Sequence, residues 1–418
     1  VARGDRAALS GARDAVGAVW RIESARIVGA LARHTGDFAL AEDLAQEAFA
    51  EALVTWPREG VPDNPAGWLL TVGKRRAIDT YRRRAALDRK YAVLANDAGG
   101  DGVTTDWDPD QIDDDVLALV FTACHPVLSR EARVALTLRV VGGLTSDEIA
   151  KAFLVPTATV QARITRAKKA IASAGVPFEV PPVQEWSARL GSVLSVLYVI
   201  FTEGSSASSG ADLIRLDLAG EAQRLARVLA RLVPGEPEVH GLLALLELTA
   251  ARFPARTGPD GHPVLLQDQD RGRWDHAAIR RGQAALARAE QAGRGLGAYG
   301  LQAAIAQCHA VAPSVAATDW ARVVALYEAL ATLTPSPVVD LNRAVAVSMA
   351  DGPAAALAIV DGLVDALPDS HLVPSVRGEL LARLGRDDEA REAFKRAVEL
   401  CGNERERAVL RDKLDALG

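Results

Sequence analysis

Leu144-Thr145-Ser146-Asp147-Glu148-Ile149-Ala150, continued by Lys151 to Pro156 and then by Thr157 to Lys169, decides how this chain is read. Thr145 and Glu148 stand three residues apart, the spacing of a capping box that opens a short helix. Ile149, Ala150 and Phe153 fall on the inward face of that helix. Pro156 ends it, and Thr157 is placed to cap the next one. The second helix carries Gln161, Arg163, Thr165, Arg166, Lys168 and Lys169. A short helix, a tight turn and a cationic second helix make a helix-turn-helix. Its second helix is slim enough for the major groove, and its cations meet the phosphates on either side. A plain helical hairpin with a solvated basic face shares the periodicity, but not the detailed motif.

The chain around this motif has 418 residues, too many for one core. Hydrophobic residues make up 49%, charged residues 24% and aromatics only 5%. That balance favours an all-α fold, because strands prefer aromatic and β-branched residues. No stretch approaches the roughly 20 apolar residues of a membrane span. The opening Arg3, Asp5 and Arg6 do not read as a secretory signal. Cys124, Cys308 and Cys401 are odd in number and far apart, and read as free thiols in a reducing compartment. The expectation is a cytoplasmic protein with no membrane, metal or cofactor.

Net charge is −6 overall, but it divides sharply. Residues 1–95 carry +3, 96–115 carry −8, 116–176 carry +5 and 177–418 carry −6. Two basic modules are thus joined by an acidic bridge and followed by an acidic half, and only the basic pieces need touch nucleic acid. Helical spacing runs through residues 14–55. Trp56 to Pro65 is a breaker loop with prolines at 57, 62 and 65, and a second helix follows from about Ala66 to Arg84. Asn96 to Asp115, with eight aspartates and Gly99, Gly100 and Gly102, has linker composition. Beyond Val176-Pro177 the pattern is helical to the end, with one longer loop at Arg256 to Asp270. There Gly378, Ala390, Phe394 and Ala397 have the small-small-aromatic-small spacing of a tetratricopeptide helix pair. Ala344, Ala356, Val360 and Leu363 lie 34 residues earlier, the length of that repeat.

Leu144 to Ala170 resembles region 4 of sigma factors, which reads the minus-35 promoter element. The resemblance implies that Gln161, Thr165 and Arg166 point at base edges, while Thr157, Arg163, Lys168 and Lys169 sit on the same DNA-facing helix, the last three at phosphates. Leu154 stands where relatives have a turn glycine, and Ala162 where many have serine. Ala41 to Phe49 resembles the region 2 helix that grips the clamp of the polymerase's largest subunit, which implies contacts from Asp43, Gln46, Glu47 and Phe49. Pro65 to Arg84 is similar to the minus-ten-reading helix, implying roles for Asn64, Trp68, Lys74, Arg75, Asp79, Arg82 and Arg83. Trp68 has a strong competing role as a core residue, and Asp79 reads equally as an ion-pair partner of Arg75 or Arg83.

Taken in order, these segments resemble the extracytoplasmic-function (ECF) sigma factors, in the subgroup with a C-terminal tetratricopeptide-like extension. That implies binding to core RNA polymerase, at the clamp and the flap, and to promoter DNA, with an extension (177–418) that modulates activity or takes a protein partner. The acidic bridge, including Asp106, Asp108, Asp110 and Asp113 to Asp115, would imitate nucleic acid in the polymerase's RNA path or act as a solvated tether. Thr202-Glu203-Gly204-Ser205 departs from the subgroup's Asn-Glu-Gly-Tyr. The rival from another class is a one-component helix-turn-helix regulator with a ligand- or peptide-binding helical domain, which would need neither the clamp-like nor the minus-ten-like helix. A weaker reading, a helical enzyme, rests on Glu203 and the run Asp268-Gln269-Asp270-Arg271-Gly272-Arg273-Trp274-Asp275. There aspartates before a helix serve commonly as caps, so no catalytic residue is assigned.

Overall fold

A computed structural model of the chain describes residues 3–87, 109–153, 155–205, 216–258, 264, 266–402 and 404–417. Among them are helices and short 3-10 turns but no strand, in keeping with the all-α expectation. The chain forms two compact units, Val1–Val199 and Ile200–Gly418. Most of the acidic bridge, including Asp106 and Asp108, and the turn residue Leu154 lie outside the described residues.

The first unit begins with three packed helices, α1 (Arg3–Thr35), α2 (Phe38–Glu59) and α3 (Pro65–Leu87). The helical spacing of residues 14–55 is therefore split in two. Gly36 takes a φ of 65°, a left-handed conformation suited to glycine, and Asp37 caps α2 by accepting from the Leu40 N–H at 3.0 Å. Apolar stripes meet between the three helices, with Ile27, Leu31, Leu44, Trp56 and Leu69 almost wholly buried. The breaker loop starts later than the prolines suggest. α2 runs through Pro57 to Glu59, because Trp56 is anchored in the core and packs edge-on against Trp68 at 5.5 Å. Gly60, at φ 90°, ends the helix.

α4 (Pro109–Ala123) begins inside the expected acidic linker. Its Asp115 is 5% exposed and pairs with Arg33 of α1 at 3.0 Å. Gly29 makes this approach possible, since a Cβ there would stand 3.0 Å from the Asp115 carbonyl. α5 (Arg130–Val140), α6 (Ser146–Ala152) and α7 (Thr157–Ser173) complete the helix-turn-helix, with α7 packed on both α5 and α6. The capping box at Thr145 and Glu148 is present. Thr157, however, is the first residue of α7 rather than its cap. Its hydroxyl donates to Asp147 at 2.8 Å and ties the two helices of the motif together, while Pro156 holds the cap position with no side-chain bond to offer.

α7 also packs on α2, joining the two basic modules. Glu42 of α2 is 3% exposed, and Arg139 of α5 donates to it at 3.1 Å. Lys168 of α7 contacts Glu42 as well, and reaches Asp43 at 2.8 Å. Burial works against the Lys168 charge, but the Glu42 and Asp43 carboxylates override it and hold its pKa above the usual lysine range.

α8 (Trp186–Ser205) spans the boundary between the units. The second unit continues with α9 (Leu216–Leu232), α10 (Pro237–Ala250), α11 (His276–Gln291), α12 (Ala298–Val311), α13 (Trp320–Leu333), α14 (Pro337–Ala350), α15 (Pro353–Asp361), α16 (Leu372–Arg383), α17 (Asp387–Leu400) and α18 (Glu404–Asp415). From α13 on, each helix packs chiefly on its neighbours in sequence, as in a helical-repeat stack, whereas α12 packs most heavily on α10. Ala344, Ala356, Val360 and Leu363 share one buried cluster with Ala390, Phe394 and Ala397. Gly352 and Gly385 turn the chain at φ 98° and 72°. Gly378 is small for a reason: a Cβ there would meet the Phe394 ring at 2.9 Å.

Two stability predictions follow from these contacts. Gly378→Ala should destabilise the wild type in urea unfolding but be neutral or stabilising in a Phe394→Ala background, where the ring is gone. Phe394→Ala alone should cost about 3–5 kcal/mol. Equal effects of Gly378→Ala in both backgrounds would deny the contact. Glu42→Ala should cost about 3 kcal/mol, the low end for breaking a buried pair because Lys168 keeps some exposure. A loss below about 0.5 kcal/mol would mean that this contact does not hold α7 on α2.

Candidate nucleic-acid interface

The exposed side of α7 follows directly from its buried side. Val160, Ile164, Ala167 and Ile171 are buried, so Gln161, Thr165, Arg166 and Lys169 emerge on the opposite, exposed face. Arg166 makes only a local bond, from Nε to the Ala162 carbonyl at 3.3 Å. Arg163 is half-buried at the edge of this face, and Thr157 is held by Asp147. Lys168 alone of the set turns away, into the contact with Glu42 and Asp43. The structure therefore keeps four sequence-selected residues together on one open face and withdraws one.

On α3, Asn64 accepts from the Gly67 N–H at 2.9 Å and so caps the helix, while its own residue stays exposed. Trp68 is half-buried against Trp56, which makes it at least partly a packing residue. Arg75 pairs with Glu51 at 3.0 Å, and Arg76 bridges Glu47 and Glu51 at 2.8 and 2.6 Å. The Arg76 and Arg75 bonds hold the Glu51 carboxyl below its ordinary range. Asp79 takes neither of the partners open to it. Arg83 donates to its backbone carbonyl at 3.2 Å, and Arg75 is engaged elsewhere, so the Asp79 carboxylate is left facing solvent. Arg82 and Arg83 are exposed. Lys74 is half-buried, and burial followed by the nearby Arg33 charge lowers its pKa. His34 is also lowered, by burial first and then by Lys74 and Arg33, so the middle of α3 and the C-terminal end of α1 share a positive field.

The acidic helix α2 presents Asp43 and Glu47 outward, with Gln46 half-buried beside them. Phe49 lies 4.7 Å from the Trp20 ring, so part of its apolar surface is already used. Sequence reasoning missed Glu42 and Arg139, which link the modules. The available signal was a carboxylate one residue from Ala41 in an otherwise apolar stripe, since a charge on a buried face must find a partner.

Elsewhere, the three cysteines are free and buried. His371, Cys401 and Glu406 bring ligand atoms within 4.8 Å of one another, but the His371–Glu406 pair at 3.3 Å accounts for that arrangement without an ion. In the Asp268 to Asp275 run, Asp270 accepts from the Gly272 N–H and Asp275 caps α11 through the N–H groups of Ala277 and Ala278. These are structural uses. No helix among the described residues is long and apolar enough to cross a membrane.

Three family models match the chain: sigma-70 region 2 over residues 21–86, sigma-70 region 4 over 119–171, and a family of unknown function, DUF6596, over 189–290. An uncharacterised protein, R00370 of Rhizobium meliloti (strain 1021), is 44% identical over 393 residues, covering 93% of each chain. RNA polymerase sigma-H factor of Pseudomonas aeruginosa is 30% identical over 158 residues, which are 36% of this chain and 81% of that one. A probable ECF RNA polymerase sigma factor, SigI of Mycobacterium tuberculosis, is 29% identical over 173 residues, spanning 41% of this chain and 59% of the relative. A tetratricopeptide repeat protein of Parabacteroides merdae superposes at a TM-score of 0.34 with 12% identity, covering 65% of this chain and 98% of that one. The helical-repeat description of the extension rests on the packing of α14 to α17 themselves. Region 2 has no place in a one-component regulator, and its match over α1 to α3 decides against that rival. The chain belongs to the sigma-70 family of RNA polymerase sigma factors, as an alternative, ECF-type member with a helical extension behind region 4.

Proposed function

We propose that α2 docks on the clamp of the polymerase's largest subunit through Asp43, Gln46, Glu47 and the remaining exposed surface of Phe49, while the region 4 module, residues 116–176, meets the flap. α3 and the loop before it take the minus-ten element. Asn64 and Asp79 face the captured bases, Trp68 backs them, and Lys74, Arg75, Arg82 and Arg83 hold the backbone. α7 enters the major groove of the minus-35 element with Gln161, Thr165 and Arg166 toward base edges and Arg163 and Lys169 toward phosphates. Thr157 positions the helix rather than touching DNA. The observation that carries this reading is the open face of α7, where polar and cationic side chains stand opposite a buried apolar stripe.

Lys168 has two uses that exclude each other. Before it can hold a phosphate it must leave Glu42 and Asp43, and that departure frees Asp43 for the clamp. Promoter binding and polymerase binding would thus favour the same separated arrangement of α2 and α7. Arg75 and Glu47 face a lighter exchange, since the Arg75–Glu51 and Arg76–Glu47 pairs each keep one side chain more than half exposed and are worth little in water. The chain works by binding rather than by catalysis, in the cytoplasm, and the extension (177–418) modulates the DNA-binding half or takes a protein partner.

The direct test is run-off transcription by purified core polymerase with this chain on genomic fragments. Asp43→Ala with Glu47→Ala, both exposed, should abolish core binding and leave the circular dichroism spectrum unchanged; undiminished core affinity would reject the clamp assignment. Arg166→Ala should weaken binding to the upstream element by about 1–3 kcal/mol if it makes a bidentate base contact. Promoter selectivity matching wild type would remove Arg166 from that role.

A further inference from the structure

The extension gathers a group of cations and donors that promoter binding leaves unused. Two tethers assemble it. The Asp275 N–H donates to the Ala251 carbonyl at 2.8 Å, fastening the Asp268 to Asp275 run to the turn after α10. Arg271 Nη1 donates to the carbonyls of His309 and Ala312, at 2.7 and 2.8 Å, and so joins the run to the C-terminal end of α12. The Arg271 guanidinium lies 4.4 Å from the centre of the Trp274 ring. Arg252 opens the 3-10 turn Phe253–Ala255, one residue beyond Ala251. Three separate segments therefore bring Arg252, Arg271, Trp274 and His309 to one place.

Their polar atoms do not satisfy one another. Trp274 is only 3% exposed, yet its indole N–H has no acceptor. Arg271 Nη2 and His309 Nδ1 are also buried without partners. No carboxylate acts on Arg252. Burial first, and then the charges of Arg256 and Arg271, push its pKa down to about 10 against a smaller opposing influence of Tyr327. Burial, then Arg252 and Arg271, push His309 down to about 4, so its ring is neutral at pH 7. Buried cations in proteins are ordinarily paired, and each buried donor left open costs stability. An ordered water would satisfy single donors but would not neutralise the Arg252 charge. A group with negative charge and several acceptor oxygens does both, and guanidinium forks match it in shape.

We propose that Arg252, Arg271, Trp274 and His309 form a binding site in the extension for a small oxyanion, the carboxylate or phosphate group of a metabolite. Arg252 supplies the charge, and the Arg271 Nη2 and Trp274 indole N–H groups supply the donors. His309 donates through Nδ1 as the neutral ring. The Arg271 stack on Trp274 and its two carbonyl bonds hold that guanidinium in a fixed pose before the anion arrives. The site stands apart from any effect on transcription, because binding is measured on the protein alone.

The test melts the full-length protein by calorimetry while titrating sodium phosphate, sodium sulfate and sodium succinate at constant ionic strength, with sodium chloride as the control. The expected result is a saturable rise in Tm with at least one oxyanion and none with chloride. The phosphate and succinate arms distinguish a phosphoryl from a carboxylate ligand. Arg252→Gln should abolish the rise and, without added oxyanion, melt no lower than wild type, since it relieves an unpaired cation. Arg396→Gln, on α17, should retain the rise. If Arg252→Gln fails to fold, Trp274→Phe carries the test: it keeps an aromatic ring, removes the donor and should weaken binding roughly tenfold or more. No saturable shift with any of the three salts, or an equal shift in the folded variants, would overturn the site.

Discussion

A carboxylate on the buried side of a helix sets the terms for the DNA-binding half of this protein. Glu42 lies on α2 with only 4% of its side chain exposed, and ionised it requires cations at close range. Both come from region 4: Arg139 on α5 and Lys168 on α7. The contact is therefore more than a surface ion pair, because α2 cannot keep its charge buried without the second module and α7 cannot withdraw Lys168 without the first. The two modules, basic in sum, are held together by local pairing of opposite charges that their net charges conceal. Asp43, one residue on, completes the clasp from the outer side, where water can compete for it.

Much of this architecture was legible in the sequence, for identifiable reasons. The capping box at Thr145 and Glu148 is a local device, formed by residues three apart, so reading it needs no tertiary knowledge. The 34-residue repeat was legible because close helix packing demands small residues at fixed places. Gly378 under the Phe394 ring is that demand in atomic form. What escaped were contacts set by distant partners. Asp115 was counted among linker aspartates, yet it is helical and buried, because Arg33 lies 82 positions away in sequence and beside it in space. Thr157 looked like a cap, but the preceding Pro156 holds that position and its hydroxyl finds Asp147 instead. The break at Gly36 was hidden because apolar spacing continues on both sides of it.

The same distinction applies to the candidate site. Residues on the open face of α7 were predictable from helical period alone, since four buried positions fix where the remainder point. Lys168 was not, because its position on the rim of that face lets it reach either DNA or α2, and only the packed partner decides. Phe49 shows the same limit: the resemblance implies a clamp contact for it, and its packing against Trp20 is a tertiary contact that no local pattern announces.

The extension reverses the logic of the first unit. In α14 to α17 almost every buried group is apolar and matched to its neighbour, so stability accumulates helix by helix. Around Arg252, Arg271 and His309 the rule is broken, with like charges gathered beside an indole donor that nothing accepts. A regular stack would have no use for such a cost at the junction of three segments. Glu247 shows how the chain treats a buried charge that serves only structure: it is 1% exposed and paired by both Arg227 and Arg281 at 2.6 and 3.0 Å. The fold that completes that pairing leaves Arg252 open, and the contrast marks the open cation as the place where a ligand's charge belongs.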